Sequence, residues 1–340
     1  MIGIAFSKNP LAGLYGFLKL LEFIFFGAYT AFYITKNNFK KILFIFSIAI
    51  IFESILSISQ YLKQSSIGGV WYFFGERTFN GQTPGISNAS LNGNLVLRAY
   101  GTFSHPNVLG GYLLIGMSLV LFNLGLFKKK AEKLLGLICL VIGTLSLVTT
   151  FSRVAILLWV LILFIVLLSK MGRPFFKKNA IALLLFIPFV AFFIFYTPII
   201  LRFSNFTFYD ESFSQRQELF KNSLEIIKTH PFFGTGLNNF LAELSHIQKT
   251  NNFIFFLQPV HNIFLLTVAQ TGISGFIYFI FFLARTFKNA IDEKKLINYK
   301  LVIFLSILIL GSFDHYFLTI QQGQLLLSFI FGLIWGKFKS

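Results

Sequence analysis

The side chains able to do chemistry in this chain are few and unevenly placed. Five histidines, His105, His230, His246, His261 and His315, lie between apolar runs or at their ends. Arg77, Arg98, Arg153, Arg202 and Arg216 keep them company, while the lysines gather in clusters elsewhere. Arginine's planar fork grips phosphate or carboxylate with two parallel hydrogen bonds, which lysine cannot do. Histidine can take or give a proton near neutral pH. The two residue types together suit a site that holds an anion and moves a proton. His261-Asn262, followed by Gly272-Ile273-Ser274-Gly275, concentrates these features: the histidine begins an apolar run, and the glycines let a neighbouring helix pack closely.

Each residue has a plainer reading beside the functional one. Arg153 ends the short link Thr149-Thr150-Phe151-Ser152-Arg153 and either snorkels to an interface or points into a cavity. In His105-Pro106-Asn107, Asn107 can cap a helix as readily as meet a ligand. Asp314-His315 reads as a local hydrogen-bonded pair. Glu22 has Lys19 three residues before it as a partner. Glu53 has no local partner, and an acid inside an apolar run suggests a transporter.

The elements that must position these residues are membrane helices. The chain is 56% hydrophobic and only 12% charged, which excludes an ordinary soluble domain. Its apolar runs reach about 20 residues, the length of a helix crossing a bilayer. Stretches such as Val154–Ser169 and Leu301–Gly311 do not alternate, so a β-barrel is excluded. We expect an all-α integral membrane protein with about nine spans, at 14–35, 42–62, 107–127, 134–151, 154–169, 180–200, 261–284, 296–313 and 318–336. Lysines 36, 40 and 41; 128, 129, 130 and 133; 170, 177 and 178; 288, 294 and 295; and 337 and 339 all fall on one side of that scheme. Short basic loops stay in the cytoplasm, which puts the C-terminus inside and the N-terminus outside. The charge of +17 is therefore a topology signal helped by anionic lipid, and no nucleic acid is expected. Met1–Pro10 lacks the charged start of a signal peptide. Cys139 is the only cysteine, so neither a disulfide nor a cysteine metal site forms within the chain.

Two long loops face outward in this scheme, 63–105 and 201–260, within a single polytopic domain, 1–340. The first reads as ordered or partly re-entrant. The second predicts two helices. Ser214 and Gln217 form a capping-box pattern, and Phe220, Leu224 and Ile227 give an amphipathic helix lying against the membrane until Pro231 stops it. A turn, His230-Pro231-Phe232-Phe233-Gly234-Thr235-Gly236, leads to a second helix over 237–249.

The His-Asn and Gly-x-x-Gly pair at this spacing, after a large outer loop, resembles the signature of the bacterial O-antigen ligase and O-antigen polymerase family. The resemblance extends over 98–275: Arg98-Ala-Tyr-Gly-Thr-Phe-Ser-His-Pro-Asn107, Phe151-Ser152-Arg153, Arg216-Gln-Glu218 and His230-Pro-Phe-Phe-Gly-Thr-Gly236. Asp314-His315 is a fainter match. Gln270 stands where the family commonly carries glutamate, and the chain has fewer spans at its N-terminus than is usual there.

The resemblance implies a fold like the C-type glycosyltransferases and a site facing the periplasm or cell exterior of a bacterial inner membrane. The implied reaction, in the assembly of surface polysaccharide such as lipopolysaccharide, moves a glycan from a polyprenyl (undecaprenyl) diphosphate to a hydroxyl of a glycan or glycolipid acceptor. The partners are then this donor, that acceptor and membrane lipids. Arg98, Arg153 and Arg216 are the expected diphosphate clamp, with His105, Asn107, His230 and Asn262 as further substrate contacts. His261 is the expected base, or a hydrogen-bond donor to the diphosphate. Pro231, Gly234, Gly236, Gly272 and Gly275 are the structural motif. No cofactor is expected. The outer acids Glu76, Asp210, Glu211, Glu218, Glu225, Glu243 and Asp314 contain no Asp-x-Asp pair to grip a divalent ion, so no metal is expected either. The competing reading, from Glu53, is a secondary transporter or lipid-linked glycan flippase.

Overall fold

The computed structural model of the chain describes residues 2–5, 7–91, 94–168, 211–247, 257–291 and 298–336. The expected span at 180–200, Arg202, Asp210 and the stretch 248–256 lie outside the described residues. The fold is mostly helical, in keeping with an all-α membrane protein. Its helices are α1 (Ile2–Ala5), α2 (Pro10–Tyr33), α3 (Lys36–Lys63), α4 (Pro106–Asn123), α5 (Lys130–Thr149), α6 (Arg153–Leu168), α7 (Glu211–Thr229), α8 (Phe240–Ile247), α9 (Ile263–Ala290), α10 (Tyr299–Phe313), α11 (Tyr316–Thr319) and α12 (Gln321–Trp335). An antiparallel hairpin of β1 (Asn88–Leu91) and β2 (Asn94–Leu97) lies between α3 and α4, pairing Asn88 with Leu97.

Among the described residues five helices, α2, α3, α4, α5 and α9, are long and apolar enough to cross a membrane. The expected spans at 154–169, 296–313 and 318–336 are shorter, at 16, 15 and 15 residues. At about 1.5 Å per residue they reach roughly 22–24 Å, less than a hydrocarbon core of about 30 Å. The long helices carry apolar side chains outward as well as inward. On α2, Leu18, Phe25 and Phe32 are exposed, Phe32 by 81%, a surface that water would not tolerate and lipid would. Lys19 meets Glu22 at 2.7 Å on this helix, so the acid within the span is paired as its spacing suggests.

The chain divides into two compact units. One comprises 1–34, 207–296 and 307–337, and the other 35–206, 297–306 and 338–340. In the second, α4 is the central helix, buried along most of its length, with α3, α5 and α6 packed against it. Lys40 of α3 bridges to Glu132 of α5 at 2.9 Å, so the lysine clusters that begin these two helices lie side by side. In the first unit, α2 and α12 pack with little between them: a Cβ on Gly332 would strike the carbonyl of Gly27 and the side chain of Thr30. This small-residue contact lets two backbones approach within the membrane.

The described part of the first loop helix, α7, already runs from Glu211, so Ser214 sits inside the helix rather than at its N-cap. Ser-x-x-Gln is compatible with a helix interior as well as with a cap. The buried stripe also differs from the expected one. Leu219, Ser223 and Ile226 are buried, while Phe220 and Leu224 are 48% and 38% exposed. Two apolar stripes are adjacent on this helix, and the one carrying Leu219 and Ile226 packs against Phe240 and Leu244 of α8 and Leu266 and Ala269 of α9.

Candidate functional site

Within the first unit, the turn after α7 is built around a break in α9. The helix is interrupted at Gly272, whose φ of 67° lies in the left-handed region. A break inside a bilayer frees carbonyls on one side and N–H groups on the other, and each needs a partner. The His230–Gly236 turn supplies them. Thr235 and Gly236 donate their N–H groups to the carbonyls of Ala269 and Gln270, both at 2.9 Å. Ile273 and Ser274 donate theirs to Pro231 at 2.8 Å and Phe232 at 3.3 Å. Glycine is required where these backbones meet, because a Cβ on Gly272 would strike the main chain of Phe232, and one on Gly234 would strike Gln270. What Gly272 admits is therefore this turn, where the sequence suggested a neighbouring helix. A Cβ on Gly275 would meet the Thr271 side chain of its own preceding turn.

The start of α9 is fixed just as closely. Asn262 is its N-cap, accepting from the N–H groups of Phe264 at 2.9 Å and Leu265 at 3.0 Å. Its side-chain N–H donates to the carbonyl of Ser312 at 3.1 Å, tying the start of α9 to the end of α10. Asn262, expected as a substrate contact, thereby fixes the backbone beside His261.

The fold gives His261 partners remote in sequence. Its ring lies 5.1 Å from the ring of His315, edge to face. Asp314 stands with them, and one potential ligand atom from each of the three lies within 4.8 Å of the others. Asp314 accepts from the His315 backbone N–H at 2.8 Å, and His315 Nδ1 pairs with Thr319 Oγ1 at 2.6 Å. His261 Nδ1 is buried with no hydrogen-bond partner among the described residues. Burial holds the His261 pKa down, to about 4; the Asp314 charge opposes this, and Arg216 and His315 add to it. The His315 pKa is lowered for the same first reason. Burial thus favours the neutral form of both rings. Arg216, exposed on α7, acts electrostatically on both. The fold makes Asp314-His315 more than the local pair expected: it is half of a four-residue cluster. Its sequence signal was an Asp-His dipeptide at the end of an apolar run, with nothing to connect it to a histidine 54 positions earlier.

The other expected residues take different places. His230 ends α7, its Nδ1 against Thr229 Oγ1 at 2.9 Å, and its carbonyl accepts from Gly234. His246 is exposed on α8.

In the second unit, Arg98 is buried. It donates from Nε to the carbonyl of Thr150 at 2.8 Å, from Nη1 to Ser87 Oγ at 2.9 Å, and from Nη2 to Asn107 Oδ1. At least three of the five N–H donors of the guanidinium are therefore engaged with the protein, and Arg98 staples the 63–105 loop to the link before α6. His105, not Asn107, caps α4, its Nδ1 accepting from the Asn107 N–H at 3.1 Å. Pro106 explains the difference: it takes the first helical position, where its missing N–H costs nothing, and the residue before it becomes the cap.

Arg153 is the first residue of α6. The link before it is tight, with Phe151 at a φ of 50°, uncommon for a non-glycine residue and costing about 1–3 kcal/mol. Phe151 is buried beneath Ala89 of the hairpin and beside Tyr61, which holds it there.

The same loop settles Glu53. Its carboxylate accepts from Thr102 N at 2.9 Å and Thr102 Oγ1 at 2.6 Å. Glu76, also buried, accepts from Ile67 N and Gly68 N, each at 2.7 Å, and from Gln60 Nε2 at 2.8 Å. These acids fasten the 63–105 loop to α3, so the missing partner of Glu53 was a loop backbone 49 residues away.

Residues 138–280 match the family model described as O-antigen ligase. No curated protein matches the chain. The matched segment holds the Phe151–Arg153 link, α7 with Arg216, the His230–Gly236 turn, His261 and the break at Gly272. It indicates a glycan-handling function of the ligase or polymerase type and a glycosyltransferase-like membrane enzyme. Over residues 138–280 the chain is thus similar to the O-antigen ligase family, and this match supports the O-antigen ligase and polymerase resemblance.

Proposed function

We propose that the chain transfers a glycan from a polyprenyl diphosphate to an acceptor hydroxyl, as a ligase or polymerase of surface polysaccharide. The observation that carries this reading is the buried His261 Nδ1, without a hydrogen-bond partner among the described residues, under the influence of the Arg216 charge. In the reaction the acceptor oxygen forms a bond to the anomeric carbon of the donor sugar. The bond from that carbon to the diphosphate oxygen breaks, and its electron pair stays with the diphosphate. The acceptor's proton goes to His261. Arg216 holds the diphosphate and stabilises the charge that grows on its bridging oxygen.

A proton-free His261 is ready to accept, although a pKa of about 4 makes it a weak base. The incoming diphosphate corrects this. Its negative charge offsets Arg216 and raises the histidine toward neutrality, so the base strengthens only when donor is bound. Arg98, Asn107 and Asn262 act indirectly, by fixing the elements that carry Arg153 and His261. The reaction needs no metal, since arginine supplies the positive charge.

In this reading 1–340 is one polytopic domain of about nine spans in a bacterial inner membrane, with the 201–260 loop outside and the lysine clusters and C-terminus in the cytoplasm. The transporter reading drew on Glu53, and its bonds to Thr102 remove that support. Purified protein in nanodiscs, given a polyprenyl-diphosphate glycan and an acceptor, tests the proposal: transfer should proceed in EDTA. Loss of transfer in EDTA with rescue by magnesium or manganese would contradict the metal-free clamp. Labelling of single cysteines placed in the 201–260 loop, in a Cys139→Ser background, should occur from outside the cell; labelling only from the cytoplasm would reverse the orientation.

A further inference from the structure

His261, Asp314 and His315 are two imidazoles and a carboxylate, a donor set that suits zinc and related divalent ions. From this geometry we infer that His261, Asp314 and His315 form a binding site for a zinc-class divalent cation, and that a bound ion shuts off the base.

The ligand atoms lie within 4.8 Å of one another. In a tetrahedral site with bonds of about 2.0–2.1 Å they would be about 3.3 Å apart. Closing by roughly 1.5 Å takes only small rotations of side chains. The surroundings already resemble a metal site's outer layer. A ligating histidine normally hydrogen-bonds through its other ring nitrogen, and His315 does so through Nδ1 to Thr319. Asp314 has one oxygen on the His315 N–H, which orients the carboxylate. His261 brings a buried nitrogen with no hydrogen-bond partner among the described residues, and Asn262 and Ser312 fix the backbone beside it. Three protein ligands leave a fourth position open to water.

Arg216 opposes a second positive charge here, and Asp314 offsets it. The balance favours a site of moderate affinity, filled when zinc is plentiful. The inhibitory part rests on the proposed role of His261: an ion bound through that ring takes the lone pair that the acceptor's proton needs. Transfer that needs no metal and transfer that zinc suppresses are then two consequences of one cluster.

The test begins with binding, which needs no transfer assay. Protein purified on a tag without histidines and stripped with EDTA is titrated with zinc, and with cobalt for its visible spectrum. One ion per chain with a cobalt band of nitrogen and oxygen coordination is expected. His315→Asn and Asp314→Asn should each weaken binding at least ten-fold. Thr319→Val, milder for folding, should weaken it about ten-fold through loss of the supporting bond. No retained zinc, or equal retention in all three variants, would overturn the site. In the transfer assay zinc should inhibit wild type and EDTA should reverse it. Zinc bound at these residues with transfer unchanged would overturn the shared lone pair and the role of His261 as base, leaving the metal site standing.

Discussion

Arg98 and Arg216 are the same residue type in the same stretch of family resemblance, and the fold uses them in opposite ways. Arg98 is buried in the second unit, and its guanidinium holds Thr150, Ser87 and Asn107. Arg216 is exposed in the first unit, and its charge reaches the rings of His261 and His315. A buried guanidinium with engaged donors fixes the chain around it. An exposed one beside imidazoles whose neutral form burial favours keeps its charge for something that arrives. Burial and partners, rather than residue type, separate the stapling arginine from the one proposed to bind donor.

The largest expected effect lies at the cluster served by Arg216. His261→Ala should lower the transfer rate by about 10²–10⁴-fold, the range for loss of a general base, while the fold survives. A rate within a few-fold of wild type would leave Arg216 without a reacting partner and blunt the contrast. Next is the exchange of the two arginines for alanine. Arg216→Ala should weaken donor binding and turnover together, with expression and melting temperature near wild type. Arg98→Ala should lower the melting temperature and yield, because the buried carbonyl of Thr150 loses its donor, at about 1–3 kcal/mol, and Ser87 and the half-buried Asn107 each lose a bond. If Arg98→Ala is stable and fails only in donor binding, the two arginines do the same job.

Gly272→Ala sharpens the comparison from the scaffold. A left-handed backbone with a Cβ costs about 1–3 kcal/mol before its clash with Phe232 is counted. The variant should melt lower, whereas Gly275→Ala, in helical backbone, should be milder. Acidity provides a smaller effect. A histidine whose pKa falls to about 4 on folding binds fewer protons folded than unfolded between about pH 6.5 and 4. Its contribution to stability is therefore full above pH 6.5 and is lost as pH falls toward 4. Melting temperature should drop across that window less steeply in His261→Asn than in wild type. The acid limb of kcat/KM should sit near 4, and that of kcat higher, because bound diphosphate raises the ring. Coincident limbs at 6.5 would mean that burial does not control this histidine.

What the sequence made legible was local. Apolar runs marked α2 to α5 and α9, the spacing of Lys19 and Glu22 announced their pair, and Pro231 ended α7. What it hid depended on contacts across tens of residues. Glu53 looked unpaired because Thr102 lies in a loop with no apolar pattern. Asp314-His315 looked local because nothing in the spacing joins it to His261. The capping role of Asn262 was hidden because an N-cap and a substrate contact call for the same polar side chain at the head of a helix. On α7, adjacent apolar stripes offered two faces, and only α8 and α9 decided which was buried.

The central claim is that Arg216 holds the donor and His261 acts on the acceptor. Donor affinity and transfer rate, measured side by side for Arg216→Ala and His261→Ala in nanodiscs, test it most directly. Arg216→Ala should lose both, and His261→Ala should lose rate while binding donor within a few-fold of wild type. If His261→Ala loses donor affinity as severely as Arg216→Ala, His261 belongs to the clamp and its assignment as base is wrong.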